Sequence, residues 1–302
     1  PFLGGVCVSM GSRISKEGGG SDDERLLRAM GQSTQAPAPS TARRAALIAG
    51  YGGLIAVNIA SGMGTFGPSN AQVSRAVPTA ITPAGYAFAI WGVIFLLEGG
   101  GVLYVSAPSE EGSVRAMTFN CVFEPWLAMW TCQNLWQVVF VNTPLVPNPS
   151  QVSLGKIFVP CSMLLLSAWA AGITACRRLE KAGIQSHAAG VLVQLPSGIN
   201  SGWLSAASCI GLALVGQSVA GSAEALNATG MPVALAACAT VGALAALRQW
   251  GAGYMGLGYS GAVAWALRAI YVNSANVVTT PEIRSVALAG ACVVGGGMGV
   301  AV

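Results

Sequence analysis

From Arg43-Arg44 to its end, the chain is a succession of apolar segments, each long enough to cross the ~30 Å hydrocarbon core of a bilayer. They lie near residues 45–63, 80–105, 116–141, 154–176, 188–218, 229–249, 252–272 and 283–302. Polar breaks stand at SAPSEEGS, NTPLVPNPSQ, RRLEKAGIQSH and NSANVVTTPEIR. In lipid every backbone N–H and C=O must be paired within the protein, so a chain crosses as helices or as a closed barrel. A barrel needs short strands of alternating apolar and polar residues, which these runs are not. The expectation is an all-α, polytopic helical membrane protein with about eight transmembrane helices, or seven if one of the softer late breaks is no loop.

Composition narrows the function. Only 9% of residues are charged, against ~25% in soluble domains, and the 40 glycines suit helices that approach closely in lipid. A net charge of +4 offers no surface for nucleic acid. The cysteines fall mostly one per apolar segment and form no CxxC pair, so they read as small apolar residues rather than disulfides or zinc ligands. His187 is the single histidine, and no Ser/His/Asp set, phosphate loop, HExxH or paired carboxylate is present. Neither enzyme chemistry nor a metal site is expected.

Residues 1–42 form a polar tail rich in Gly, Ser and Pro, and the transmembrane domain is expected over 43–302. Within the tail, SDDERLLRAM is a short helical stretch in which Ser21 would cap and Arg28 would come late. A tail this polar orders only against a surface, so a docking arm is expected. Its first residue is not Met, which fits a processed product or a partial sequence. Arg43, Arg44, Arg115, Arg177, Arg178, Lys181 and Arg248 fall on the tail's side of the eight-span arrangement. Arg75, Lys156 and Arg284 fall opposite, with Arg268 near a helix end. The positive-inside rule then puts the N-terminus on the cytoplasmic side, or its equivalent in an organelle.

Three segments carry unusual side chains. Ile81–Gly101 opens on Thr82-Pro83, a helix start in which Thr82 would cap, and continues through Tyr86, Phe88, Trp91 and Phe95. This is either an aromatic belt at the interface or the lip of a pocket. In the third segment Trp126, Trp130, Gln133 and Gln137 recur at helical spacing and share one face, beside Asn134 and Trp136. Buried amides in lipid find partners on a neighbouring helix or on a bound polar group. In the fifth, Pro196 is expected to kink the helix just before Asn200, Ser201 and Trp203, which suits a cavity or plain packing. Glu98, Glu124 and Arg268 are charges at membrane depth and hence functional candidates, although Glu124 lies near the interface and Arg268 and Glu98 are placed to reach the surface.

TPAGYAFAIWGVIFLLEG, QNLWQVVF and LPSGINSGWLSAAS, with the later AWALRAIYV, together resemble the translocator protein and tryptophan-rich sensory protein (TspO-related) family. Pro83, Tyr86, Phe88 and Trp91 match its second-helix signature, with Phe95 where Tyr is usual. Trp136 matches the third-helix pattern, with Gln133 in place of Asn. Leu195, Pro196, Gly202, Trp203 and Ala207, and then Trp265 to Leu267, are similar to a longer, divergent bacterial branch. The resemblance implies a five-helix TspO-like core followed by extra C-terminal helices, and a pocket lined by tryptophans. The implied ligand is a tetrapyrrole (porphyrin, haem or chlorophyll) or another lipophilic molecule such as a carotenoid or lipid. Trp91, Trp130, Trp136 and Trp203 would form the walls with Tyr86 and Phe88 at the lip, and Gln133, Asn134 and Asn200 would supply polar contacts.

The first functional expectation is therefore a non-enzymatic membrane protein that binds a flat hydrophobic ligand. A second is an accessory or linker subunit of a larger membrane complex, such as a plastid photosystem or light-harvesting supercomplex, docked through its tail. A third, a small-molecule transporter, would call for paired midplane charges and internal repeats, and neither is evident. The expected partners are the lipid bilayer, a hydrophobic small molecule and other subunits. The expected location is an organellar membrane, thylakoid or mitochondrial.

Overall fold

The computed structural model describes residues 36–143, 151–273 and 275–300. The SDDERLLRAM helix and most of the expected docking arm lie outside the described residues. Among the described residues ten α-helices follow in order: α1 (Thr41–Gly62), α2 (Asn70–Ala76), α3 (Ile90–Ser106), α4 (Val114–Val141), α5 (Gln151–Lys181), α6 (His187–Ala220), α7 (Ala223–Ala228), α8 (Met231–Trp250), α9 (Tyr254–Tyr271) and α10 (Pro281–Val300). A 3-10 turn, Gly85–Ala89, leads into α3. No strand occurs among the described residues. The eight long helices stand where the eight apolar segments were read, and α8, α9 and α10 are separate. By length and composition, five are apolar enough to cross a membrane: α1, α3 with its 3-10 turn, α5, α6 and α8. The chain is a polytopic helical membrane protein.

Local chemistry sets the helix starts. Ser40 and Ser113 precede α1 and α4, and their hydroxyls accept from the amides of Arg43 (3.3 Å) and Ala116 (3.2 Å). α2 begins with a capping box: the Ser69 hydroxyl accepts from the Gln72 amide, and the Gln72 side chain accepts from the Ser69 amide. Gly221 and Gly251 have positive φ, +88° and +60°, and end α6 and α8 in a backbone shape that glycine adopts without a Cβ penalty.

The second span departs from the expected start. Its first turn is at Gly85, and Thr82 does not cap it. The Thr82 hydroxyl instead accepts from the Thr79 amide at 2.8 Å, because residues 79–84 are bonded to the C-terminal part of the chain. Asn276, Thr279 and Asn273 donate to the carbonyls of Thr79, Ala80 and Thr82, and the Ala84 amide donates to the Ala269 carbonyl. The Trp265 indole donates to the Ala87 carbonyl at 3.0 Å and fixes the 3-10 turn.

Pro196 also acts differently from a simple kink. The helix passes through a π-helical stretch, Gly190–Gln194, and resumes its α form at Leu195. The wider turn accommodates a proline nitrogen that cannot donate. The Leu192 carbonyl, four residues before it, lies directly against Gly101 of α3, where a Cβ would collide with it.

The C-terminal helices are joined to the core by close backbone approach. A Cβ on Gly198 or Gly202 would strike the backbone of Met255 or Tyr259, and one on Gly258 would strike the Leu195 carbonyl. Small residues four apart on α6 thus let α9 lie along it, the small-xxx-small packing of membrane helices. α8 and α10 pack on α9 and complete the bundle.

Candidate ligand-binding site

The polar side chains of the third and fifth segments meet at Glu98. Its side chain is wholly buried on α3. One carboxylate oxygen accepts from the Trp130 indole at 2.9 Å and the other from the Asn200 amide at 2.7 Å. Gln133 donates in turn to the Asn200 side-chain carbonyl at 2.8 Å. The amide dipoles run head to tail from α4 through α6 to the carboxylate, so each bond polarises the next. One turn away the Trp126 indole donates to the Ser197 hydroxyl at 3.2 Å. These bonds join α3, α4 and α6 at depth. Glu98 therefore does not reach for the surface.

The other two charge candidates sit at the bundle's edges. Glu124 is exposed and accepts from Arg43 (2.9 Å) and Arg178 (2.7 Å), tying α4 to α1 and α5. With half the carboxylate in solvent these pairs add little stability. Arg268 is exposed near the end of α9, with its guanidinium 5.5 Å from the Tyr271 ring.

Toward the end of the bundle that holds α2, the same helices enclose an apolar cavity of about 50 Å³. Phe88, Trp91, Trp136 and Trp203 line it, together with Phe140 and the α5 residues Phe158, Cys161, Ser162 and Leu165. The aromatic walls support one another. Trp203 meets Trp91 edge-on at 6.3 Å and Phe88 at 6.1 Å, and Trp136 stacks on Phe140 at 5.0 Å. The Ser162 hydroxyl is buried here without a hydrogen-bond partner. An unsatisfied buried hydroxyl on a residue that lines an apolar cavity is a ready donor or acceptor for a guest molecule once the walls separate.

The nine ligand residues expected from sequence thus separate into groups. Phe88, Trp91, Trp136 and Trp203 are brought together around the cavity. Trp130, Gln133 and Asn200 belong to the Glu98 cluster, bonded to protein partners. Tyr86 is exposed and packs edge-on against Trp265 at 5.2 Å. Asn134 is half-buried beside Gln133, with its side-chain oxygen unpartnered, and it does not line the cavity.

Several lining residues were not singled out from sequence. Phe158, Cys161, Ser162 and Leu165 sit in an apolar run with nothing local to mark them. Ser74 and Val77 come from α2 and its end, and there a signal existed: Ser69-x-x-Gln72 is a capping box and announces a helix. α2 is held down by a reciprocal amide pair between Asn70 and Gln137 at 2.9 and 3.0 Å, and Gln137 also donates to Ser61.

A family model described as TSPO-like protein matches residues 44–300. Neither the curated proteins nor the solved structures contain a match to the chain.

Proposed function

The chain belongs to the TSPO-like protein family, and on that premise we propose that it is a non-enzymatic membrane protein that binds a flat, hydrophobic ligand in the tryptophan-walled cavity. A tetrapyrrole is the first class to test. The observation that carries the reading is the convergence of Phe88, Trp91, Trp136 and Trp203 from separate parts of the chain on one cavity, which Ser162, with its unpartnered hydroxyl, also lines. Indole and phenyl faces suit a planar aromatic ring, and one placed hydroxyl suits a polar edge. No imidazole is among the lining residues, so a porphyrin would be held by its faces and edge.

The cavity holds only about 50 Å³, whereas occupied small-molecule sites run to roughly 300–1,000 Å³. A ligand of that size enters only if the walls separate. The mouth is the place for it, since Ser74, Thr82 and Phe88 come from α2, a loop and a 3-10 turn rather than from packed helix middles.

The test is titration of the full chain, purified in mild detergent, with protoporphyrin, read by quenching of tryptophan fluorescence. Ala207 lines the cavity on α6. Replacing it with Phe fills the space and should weaken binding by about tenfold or more while the protein stays folded. Unchanged affinity in a folded Ala207→Phe protein would place the ligand elsewhere.

A further inference from the structure

A second hollow of about 410 Å³ adjoins the cavity at its α2 end. Its walls come from α2, from residues 78–88 and from the segment after α9, through Asn273, Ala275, Asn276 and Val277. The two spaces share Ser74, Thr82, Pro83 and Phe88, so those four residues are the partition between them. The hollow is thus a vestibule, and the segment after α9 supplies a third of its lining residues.

Arg75 is the charged residue of its lining. It is exposed, and among the described residues its guanidinium has neither an ion pair nor a hydrogen bond. The neighbouring amides and the other nearby arginine are committed. Asn273 and Asn276 donate to the carbonyls of Thr82 and Thr79, and Arg284 donates to those of Tyr271 and Asn273. The two ion pairs among the described residues fall on Glu124, near the opposite end. Arg75 is also held in place: α2 is closed by its capping box and bonded to α4 through Asn70 and Gln137.

We propose that the vestibule receives the anionic group of an amphipathic ligand, a carboxylate or phosphate, at Arg75, while the ligand's apolar body enters the tryptophan-walled cavity. The inference rests on the cavity being a ligand site and adds the charge and orientation of what enters it. A planar guanidinium pairs with an oxyanion through parallel N–H bonds, and beside an apolar mouth such a bond is less screened than in open water.

The test uses two probes on the full chain in neutral detergent: protoporphyrin IX, which carries two carboxylates, and its uncharged dimethyl ester. The acid should bind the wild type more tightly. Arg75→Ala should weaken the acid by about three- to tenfold and leave the ester unchanged, and Arg75→Lys should keep most of the preference. Equal affinity for acid and ester, or an acid affinity indifferent to Arg75→Ala, overturns the inference but leaves the cavity reading intact. Binding of neither probe by the wild type overturns both. If the acid still binds Ala207→Phe as it binds the wild type, the apolar body is not in the cavity and the inference is overturned. Competition by oleate that also depends on Arg75 supports the same chemistry and identifies a lipid as its source.

Discussion

The Glu98 cluster and the tryptophan cavity are built from the same helices, one to two turns apart, yet they are opposites. In α4, Gln133 belongs to the first and Trp136 to the second; in α6, Asn200 and Trp203 divide the same way. Three residues of helix rise is only ~4.5 Å. At the first level the carboxylate, the Trp130 indole and the Asn200 amide all have partners, and the Gln133 side-chain oxygen is left without one. At the second the walls are apolar and leave a cavity between them, and the Ser162 hydroxyl has no partner. Satisfied polar groups in a low-dielectric interior fix the positions of three helices. A gap between apolar side chains forfeits protein–protein packing and leaves room for a guest. The contrast assigns stability to one level and ligand capacity to the other.

The largest expected effect tests the first half of that contrast. Glu98→Leu leaves the Trp130 and Asn200 donors buried without an acceptor, which should cost about 2–4 kcal/mol. Glu98→Gln keeps one carbonyl acceptor and should cost about half as much. Thermal unfolding in detergent measures both. If the Leu variant melts no lower than the Gln variant, the cluster does not hold the helices together. In variants that remain folded, binding of protoporphyrin should change little, because Glu98 does not line the cavity.

The division between the two levels is only partly written in the chain. The long apolar runs were readable because hydropathy and length decide what crosses a bilayer. The aromatic content of α4 was readable too, but its assignment was not. Trp130 and Trp136, six residues apart at 3.6 residues per turn, face directions about 120° from each other. The sequence separates those faces without saying which neighbour each one meets. Trp130 meets Glu98, 32 residues earlier, and Asn200 reaches the same carboxylate from 102 residues away. Such pairings depend on helix order in the bundle, which periodicity does not carry. The capping role expected of Thr82 failed for a related reason. Local propensity favoured a Thr-Pro start, and tertiary bonds from Asn273, Asn276 and Thr279 took the loop instead.

The smallest expected effect is the sharpest, because one substitution should change sign between the two levels. Ser197 and Ser162 are both buried serines, at 1% and 3% exposure. The Ser197 hydroxyl accepts the Trp126 indole, so Ser197→Ala strands that donor and should destabilise by about 1 kcal/mol. The Ser162 hydroxyl has no partner, so Ser162→Ala removes a desolvated polar group and should leave stability unchanged or raise it by about 1 kcal/mol. Ligand affinity should move the other way. Ser162→Ala deletes the cavity's unpartnered polar contact and should weaken protoporphyrin binding a few-fold, whereas Ser197→Ala should leave it alone. Paired melting curves and titrations of the two variants read all four quantities. Destabilisation by Ser162→Ala as large as that by Ser197→Ala would mean that both hydroxyls serve packing alone, and the separation of a structural level from a binding level would fail.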